Sequence, residues 1–385
     1  MPADTLLQAI DGLKSELSAR STEIEDARRL PADIAGKLAV AGLFNMLKPA
    51  ALGGLQVSPQ DMSRALMHIA AANASAGWCV MIGTTSTLAG AYLDRAAADA
   101  VYGEPLDIHG GVFAPMGRAE DMGSHYLLNG TWQWGSGSAN CAWLSGGAMI
   151  FKDGELQRSD SGAPRHRMMF FPADQAECID TWHVAGLGGT GSGDFKVTNV
   201  RIPKDRSVSF IDDSPRDPAP LYKFPLFGLL SLGVASVTLG NARGALDESV
   251  ALLKAKRTAG GARSQSQRAT VQADIAWATA ALHGAQAWLE KTVDEAWREA
   301  LSDAPISVAA RGRLRLACAT MSEVAADVCK TAYTLGGGSS VYLASSLQRR
   351  FRDAHVMTQH LAVSSATFEL AGRVLLDEPV DTAML

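Results

Sequence analysis

The sequence has 385 residues, of which 47% are hydrophobic and 19% are charged, and its net charge is −5 at pH 7. A protein of this length can bury a large core divided between two or three domains. The acidic balance, with no basic run longer than Arg349-Arg350, argues against nucleic acid as the main partner.

Cysteine usage and the N-terminus predict the compartment. The five cysteines form no Cys-x-x-Cys pair, so we expect no disulfide framework, no bound metal and a reducing environment. The stretch from Met1 to Thr5 lacks the basic and apolar regions of a signal peptide. No uninterrupted apolar run approaches the roughly 20 residues of a membrane span. These features predict a cytoplasmic protein without a membrane partner.

Residues 1–110 predict a helical domain. Apolar residues recur at three- and four-residue spacing, and two strongly apolar helices are expected over residues 65–72 and 77–91. The second helix contains Trp78, which we interpret as a core residue.

Residues 111–214 predict a β domain, because apolar alternation replaces the helical period. The stretch 125–134 reads as two strands joined by an Asn129-Gly130 turn. Further strands are expected over 143–151, 168–172, 177–183 and 193–203. The glycine-rich run 186–193 is followed by a strand pattern and opens no helix, so it is not a dinucleotide-binding fingerprint.

Residues 215–385 predict a helical bundle. Long apolar periods cover 226–255, 267–300, 308–332 and the stretch from Arg352 to near Leu376, with breaks at Gly260-Gly261 and Ala304-Pro305. The order of helical, β and helical segments disfavours an alternating Rossmann arrangement.

This layout resembles the acyl-CoA dehydrogenase fold over nearly the whole length. The fold is mostly α, with a β-barrel or β-sandwich middle domain and a C-terminal four-helix bundle. The stretches 38–44 and 200–203 and the Arg352-Asp-Ala motif resemble it most. In such dehydrogenases the residue nine positions after this arginine is a glutamate that removes a substrate proton. Here that position is Leu361, which cannot accept a proton.

The Gln359-His360 pair more closely resembles the reduced-flavin-dependent monooxygenases that share the fold. In them a histidine at this place lies beside flavin and substrate, which implies that His360 is catalytic. Histidine titrates near neutrality, so it can accept a substrate proton and later donate one. The alternative is a helix histidine satisfied within the bundle core.

The stretch Trp132-Gln-Trp134-Gly-Ser136-Gly137 resembles a Trp-x-aromatic-x-Ser-Gly segment that runs along the flavin in these monooxygenases. The resemblance implies that Trp134, Ser136 and Gly137 contact flavin and that the Ser136 hydroxyl bonds flavin N5. Such a bond slows the loss of hydrogen peroxide from a C4a-hydroperoxyflavin. The alternative is a β-turn between core tryptophans.

The segment Thr190-Gly191-Ser192 resembles the family's Gly-Thr-Gly-Ser stretch, which contacts flavin phosphate or the ring edge. A plain glycine-rich loop is the alternative. Arg349 and Arg352 are candidates for flavin phosphate or a neighbouring subunit, and a salt-bridged helix start is the alternative.

Four further residues are candidates for the substrate pocket. His109 and Phe113 precede the middle domain's tryptophan motif, although a surface histidine would look the same in sequence. Some family members carry a histidine where this sequence has the uncharged stretch containing Thr84 and Ser86. This difference favours a neutral heteroaromatic substrate of the indole type.

The resemblance implies the oxygenase component of a two-component flavin monooxygenase. It would use O2 and FMNH2 or FADH2 from a separate NAD(P)H:flavin reductase to hydroxylate a small aromatic substrate, and it would form a homotetramer. One alternative is an acyl-CoA dehydrogenase-type FAD oxidoreductase with a relocated base. Another is a flavin-free scaffold that keeps the fold for protein interactions.

Overall fold

The described residues of the N-terminal domain include six α-helices. The computed structural model describes residues 3–160, 162–257, 263–382 and 385, and the predicted break at Gly260-Gly261 lies outside them. The helices are α1 (Ala3–Ala19), α2 (Ser21–Asp26), α3 (Ala32–Val40), α4 (Pro59–Ala72), α5 (Ala74–Ser86) and α6 (Arg95–Tyr102). The start of α5 follows from its sequence, because Asn73 accepts the backbone N–H of Ala76 at 2.9 Å. This cap fixes the rotation of the helix that carries Trp78.

The part of the middle domain that the structure describes is one mixed sheet of eight strands. The strands are β1 (His109–Asp121), β2 (His125–Trp132), β3 (Trp143–Lys152), β4 (Glu155–Leu156), β5 (His166–Pro172), β6 (Glu177–Ile179), β7 (Asp194–Pro203) and β8 (Ser207–Val208). Their order is β6-β7-β2-β1-β3-β5-β8, with β4 paired to β3. Strands β1 and β3 are parallel and the other pairs are antiparallel. The sheet has its own apolar core around the fully buried Trp132.

The predicted turn at Asn129-Gly130 is wrong, because β2 continues through both residues to Trp132. The Asn-Gly pair instead forms an irregularity in the pairing with β7, where Asn129 exchanges two side-chain hydrogen bonds with Asn199. A Cβ atom at position 130 would lie 2.5 Å from the Trp132 ring. Glycine is therefore present to admit the tryptophan, and the chain reverses at Gly123, where φ is +83°.

The C-terminal domain contains α7 (Pro220–Lys223), α8 (Leu226–Ala255), α9 (Ala269–Ala300), α10 (Val308–Gly336), α11 (Ser346–Met357) and α12 (Ala366–Leu375). Helix α8 packs on α4 as well as α10, so the two helical domains share one apolar core. Among the described residues, α8 alone is long and apolar enough to cross a membrane, and 78% of its apolar window is buried inside the protein.

The predicted continuous helix from Arg352 to near Leu376 is also wrong. Helix α11 ends at Met357, a single 3-10 turn follows over Leu361–Val363, and α12 begins at Ala366. The break arises because the His360 side chain caps the turn, accepting the backbone N–H of Ala362 at Nδ1 over 3.2 Å. His360 is therefore the cap of a turn rather than a residue inside a bundle helix.

Candidate active site

Two loops that extend β2 and β7 form the base of the site. The last strand pair is Trp132 opposite Phe195. Beyond it, the N–H of Gly135 donates to the carbonyl of Gly193 at 2.9 Å, and the N–H of Gly137 donates to the carbonyl of Thr190 at 2.8 Å. These backbone bonds bring the tryptophan motif and the Thr190-Gly191-Ser192 segment together.

The loops place three hydroxyl groups in a row, which we call the hydroxyl row: Ser136, Ser192 and Thr190. The Ser136 and Ser192 oxygens are 2.7 Å apart, as are those of Ser192 and Thr190. The Thr190 hydroxyl donates to the carbonyl of Leu187 at 2.8 Å. All three side chains are buried, so each hydroxyl depends on protein groups for its hydrogen bonds.

Trp78 joins the hydroxyl row to His360. Its indole Nε1–H donates to the Ser136 hydroxyl at 3.1 Å, and its ring meets the His360 imidazole edge to face, with centroids 5.5 Å apart. The sequence predicted only core packing for Trp78, which is indeed buried. The signal that could have revealed more is chemical, since a buried indole N–H requires an acceptor that an apolar helix does not supply.

The electrostatics of His360 give a neutral imidazole. Burial, reinforced by the positive charge of Arg315, lowers the pKa of His360 to about 4. Because Nδ1 accepts the N–H of Ala362, the hydrogen of the neutral ring resides on Nε2. The free nitrogen of His360 is therefore a hydrogen-bond donor.

Trp134 and Gly137 have backbone conformations that open the surface beside Ser136. Trp134 has φ +65°, rare for a bulky residue, and its side chain is 61% exposed. Gly137 has φ +73°, which glycine adopts without strain. The turn thus leaves Trp134 largely exposed, two residues from the buried Ser136.

Arg349 and Arg352 pair within the protein. Both guanidinium groups contact Glu25 of α2, Arg349 at 2.7 Å and Arg352 at 2.5 Å. Arg352 also donates to the carbonyl of Ala185. The salt-bridged alternative therefore describes both side chains, and contact with flavin phosphate stays a prediction.

Asp353, next to Arg352, is fully buried and accepts the N–H of Leu187 at 2.6 Å. Burial raises the pKa of this carboxyl to about 6. Leu187 is itself held with φ +54°. The contact connects α11 to Leu187, whose carbonyl accepts the hydrogen bond from Thr190 at the end of the hydroxyl row.

His109, Thr84 and Ser86 lie among structural contacts. His109 is buried, its Nε2 is 2.7 Å from the carbonyl of Val101, and burial lowers its pKa to about 4. The Thr84 hydroxyl accepts the N–H of Leu47 at 3.1 Å, and the Ser86 hydroxyl donates to the carbonyl of Ile82 at 2.8 Å. These bonds stabilise helix α5 and its neighbours, and contact with substrate stays a prediction for all three residues.

Phe113 belongs to an aromatic cluster. Its ring meets Phe227 of α8 at 5.4 Å, His166 at 5.7 Å and Phe210 at 6.2 Å between centroids. The cluster joins the sheet to helix α8 of the bundle. Its contact with a substrate is untested.

Comparison with known proteins agrees with this geometry. Models of the acyl-CoA dehydrogenase N-terminal and C-terminal domains match residues 8–102 and 232–365. The sequence is 31% identical over 366 residues to indole-3-acetate monooxygenase of Pseudomonas putida, covering 94% of this chain and 91% of that protein. It is 30% identical over 381 residues to the flavin-dependent monooxygenase oxygenase subunit HsaA of Mycobacterium tuberculosis, covering 94% and 92%. The crystal structure of the HsaA monooxygenase from M. tuberculosis superposes with a TM-score of 0.91 at 26% identity, covering 100% of both chains.

Proposed function

Since this chain belongs to the flavin-dependent monooxygenases with the acyl-CoA dehydrogenase fold, we propose that it hydroxylates a small aromatic or heteroaromatic substrate as the oxygenase component of a two-component system. It takes FMNH2 or FADH2 from a separate NAD(P)H:flavin reductase and uses O2. The observation that carries the proposal is the arrangement of Ser136, Trp78 and His360, with Leu361 where a dehydrogenase of this fold has its base. Leu361 is 69% exposed and begins a 3-10 turn.

The residues around Ser136 fit a reduced flavin. Trp134 presents an aromatic face on which a flat ring can stack. The Ser136 oxygen already accepts the Trp78 N–H and retains a second lone pair for a ring N–H. A Cβ atom at Gly135 would lie 2.7 Å from the Phe195 ring, and Gly137 adopts φ +73°, so both positions of the turn suit glycine. Ser136, Trp134, Gly137, Thr190, Gly191 and Ser192 are the residues we assign to flavin binding.

Reduced flavin, when bound, supplies the electrons that activate O2. The protein's contribution is to hold the flavin in position and to exclude water. The buried hydroxyl row gives Ser136 a fixed position, and the helical core around Trp78 keeps water from that side. His360, neutral with its hydrogen on Nε2, would donate a hydrogen bond to a polar atom of the substrate. It can accept a proton at Nδ1 only after its bond to Ala362 is broken.

An indole-type substrate is the finer part of the proposal. The stretch of α5 containing Thr84 and Ser86 carries no charge, and burial favours the neutral imidazoles of His109 and His360. The uncharged α5 stretch and the neutral imidazoles suit a neutral heteroaromatic ring better than a phenolate, and the charge that acts on His360 is that of Arg315. The similarity to an indole-3-acetate monooxygenase supports the indole ring, and indole-3-acetate carries a carboxylate in addition.

We also propose a homotetramer in the cytoplasm. Large apolar side chains are exposed on two surfaces of the single chain: Trp277 of α9 is 77% exposed, and Leu343, before α11, is 80% exposed. Exposed apolar groups of this size are typical of surfaces that another subunit covers.

The dehydrogenase alternative lacks a supporting observation. Helix α8 contains two acidic residues, Asp247 and Glu248, and Glu248 is ion-paired with Arg350 at 2.6 Å. Asp353 is engaged by the Leu187 N–H. Glu248 and Asp353 therefore each have a structural partner, and Asp247 is exposed on the surface of α8.

The proposal is tested by incubating the protein with photoreduced FMN or FAD, isotopically labelled O2 and indole or indole-3-acetate. A hydroxylated product carrying one oxygen atom from O2 is expected. Oxidised flavin and peroxide without any oxygenated product, across both flavins and both substrates, would contradict the proposed substrate class.

A further inference from the structure

The order of hydrogen bonds along the hydroxyl row gives Ser136 a defined polarity. Trp78 Nε1 can only donate, so Ser136 accepts from it. At the other end, the Leu187 carbonyl can only accept, and the Thr190 hydroxyl lies 2.8 Å from it. Between these ends, one direction lets every hydrogen find an acceptor: Ser136 donates to Ser192, Ser192 donates to Thr190, and Thr190 donates to Leu187.

The reverse direction leaves one hydrogen without a partner. If Thr190 donated to Ser192 and Ser192 donated to Ser136, the Ser136 oxygen would accept twice and its own hydrogen would find no protein acceptor. Ser136 is buried, and a buried hydroxyl without an acceptor is costly. The protein alone therefore favours the direction that ends on Leu187.

The terminal acceptor is itself fixed. The Leu187 N–H donates to Asp353 at 2.6 Å, and its carbonyl also accepts Trp182 Nε1 at 3.0 Å and the Thr190 N–H at 3.0 Å. Leu187 has φ +54°, which points to a loop held in place by these contacts. Nothing in this arrangement requires a ligand, so the polarity precedes flavin binding.

We propose that Thr190 and Ser192 are positioning residues that make the site select reduced over oxidised flavin, because they leave Ser136 able to accept a hydrogen bond but not to donate one. Reduced flavin carries a hydrogen on N5, whereas oxidised flavin carries a lone pair there. The inference rests on the proposed function, since it takes Ser136 to face N5. It differs from that function in assigning the redox preference to two residues that need not touch N5.

Two substitutions each remove a hydrogen-bond acceptor from the hydroxyl row, and they weaken its preferred direction by different amounts. Thr190→Val keeps the shape and the backbone N–H, but removes the acceptor for Ser192, so both directions then leave one hydrogen unpaired. Ser192→Ala removes the acceptor for Ser136 itself, so the Ser136 hydrogen becomes free for oxidised N5. Thr190→Ser keeps the hydroxyl and serves as the matched control.

The experiment is anaerobic equilibrium binding of FMN and FAD, each in oxidised and photoreduced form, to the full-length protein. The measured quantity is the ratio of the oxidised-flavin Kd to the reduced-flavin Kd. The ratio is expected to fall at least about fivefold in Thr190→Val and further in Ser192→Ala, the equivalent of one or more buried hydrogen bonds. Thr190→Ser is expected to keep the wild-type ratio.

The outcomes separate the inference from its premise. A wild-type ratio that persists in both Thr190→Val and Ser192→Ala contradicts the inference and leaves the proposed function standing. A wild-type protein that binds neither flavin in either redox state removes the proposed function and the inference together. The two variants are independent, so a folding defect in one leaves the other as a complete test.

Discussion

The Asp353 carboxylate accepts the backbone N–H of Leu187 at 2.6 Å, across 166 positions of sequence. This contact connects helix α11 of the C-terminal domain to the loop that contains Leu187, the last acceptor of the hydroxyl row. A Cβ atom at the neighbouring Gly186 would lie 2.5 Å from the Arg352 carbonyl, so the loop and the helix are in direct backbone contact. The bundle thus sets the geometry of a site that is otherwise built on the sheet.

The first prediction concerns the pH dependence of stability. Burial raises the pKa of Asp353 from its ordinary 3.8 to about 6, so the folded state binds this proton more tightly than the unfolded state. Protonated Asp353 contributes up to about 3 kcal/mol to the free energy of unfolding. This contribution is full below pH 4 and is lost as the pH rises through 6. Asp353→Asn cannot ionise but can still accept the Leu187 N–H. Denaturant titrations should therefore show the variant gaining stability relative to wild type between about pH 4 and pH 7; a constant difference would contradict the assignment.

The second prediction concerns His360. His360→Ala should lower the hydroxylation rate about tenfold or more, the effect of losing one well-placed donor, and leave the reduced-flavin Kd nearly unchanged. His355→Ala is the matched control, because His355 is exposed and packs on the Phe351 ring. Since the pKa of His360 is about 4, the wild-type rate should not titrate through this residue between pH 6 and pH 8. A step in that range that disappears in His360→Ala would show that the ring ionises there.

The third prediction concerns Ser136. Ser136→Ala removes the acceptor assigned to flavin N5, so the ratio of hydroxylated product to hydrogen peroxide should fall about 3- to 10-fold. Ser138→Ala, two residues along the same loop, should leave the ratio near the wild-type value. Product and peroxide are measured in one reaction from a known amount of reduced flavin. Equal ratios in Ser136→Ala and wild type would remove Ser136 from the site.

The fourth prediction concerns the ion pairs that join α2 to α11. Glu25→Gln leaves Arg349 and Arg352 without their shared counter-charge, and the free energy of unfolding should fall by about 1–3 kcal/mol. Glu23→Gln is the control on the same helix, since Glu23 forms an exposed pair with Arg20, and should cost less than about 1 kcal/mol. The urea unfolding midpoints of the two variants are compared. Equal losses of unfolding free energy would mean that the Glu25 ion pairs stabilise the fold no more than the exposed Glu23–Arg20 pair.

Local patterns were sufficient for most of the fold. The expected helix over residues 226–255 matches Leu226–Ala255, because a uniformly apolar period bounded by prolines and lysines leaves little ambiguity. The prediction of a turn at Asn129-Gly130 was wrong because an Asn-Gly pair can also lie within a strand. Here glycine leaves room for the Trp132 ring, and this contact is visible only in three dimensions. The prediction of a continuous helix through His360 was wrong because a histidine is an uncommon cap.

The site was harder to predict than the fold, because its decisive contacts are remote in sequence. Ser136 was expected from its motif, but its donor Trp78 lies 58 positions away. The partner of Arg349, Glu25, lies 324 positions away, and no local pattern relates the two. The polarity of the hydroxyl row depends on which groups lie at its ends, and that information exists only once Trp78 and Leu187 are in place.

The central claim is that this protein uses a separately supplied reduced flavin to activate O2. The most direct test is rapid mixing of the purified protein and FMNH2, then FADH2, with oxygenated buffer, followed by near-ultraviolet absorbance. The account predicts a transient spectrum, distinct from oxidised flavin, that outlasts the autoxidation of free reduced flavin and identifies the preferred cofactor. Direct return to oxidised flavin without a transient, together with copurified FAD that acyl-CoA bleaches, would contradict it and identify a dehydrogenase.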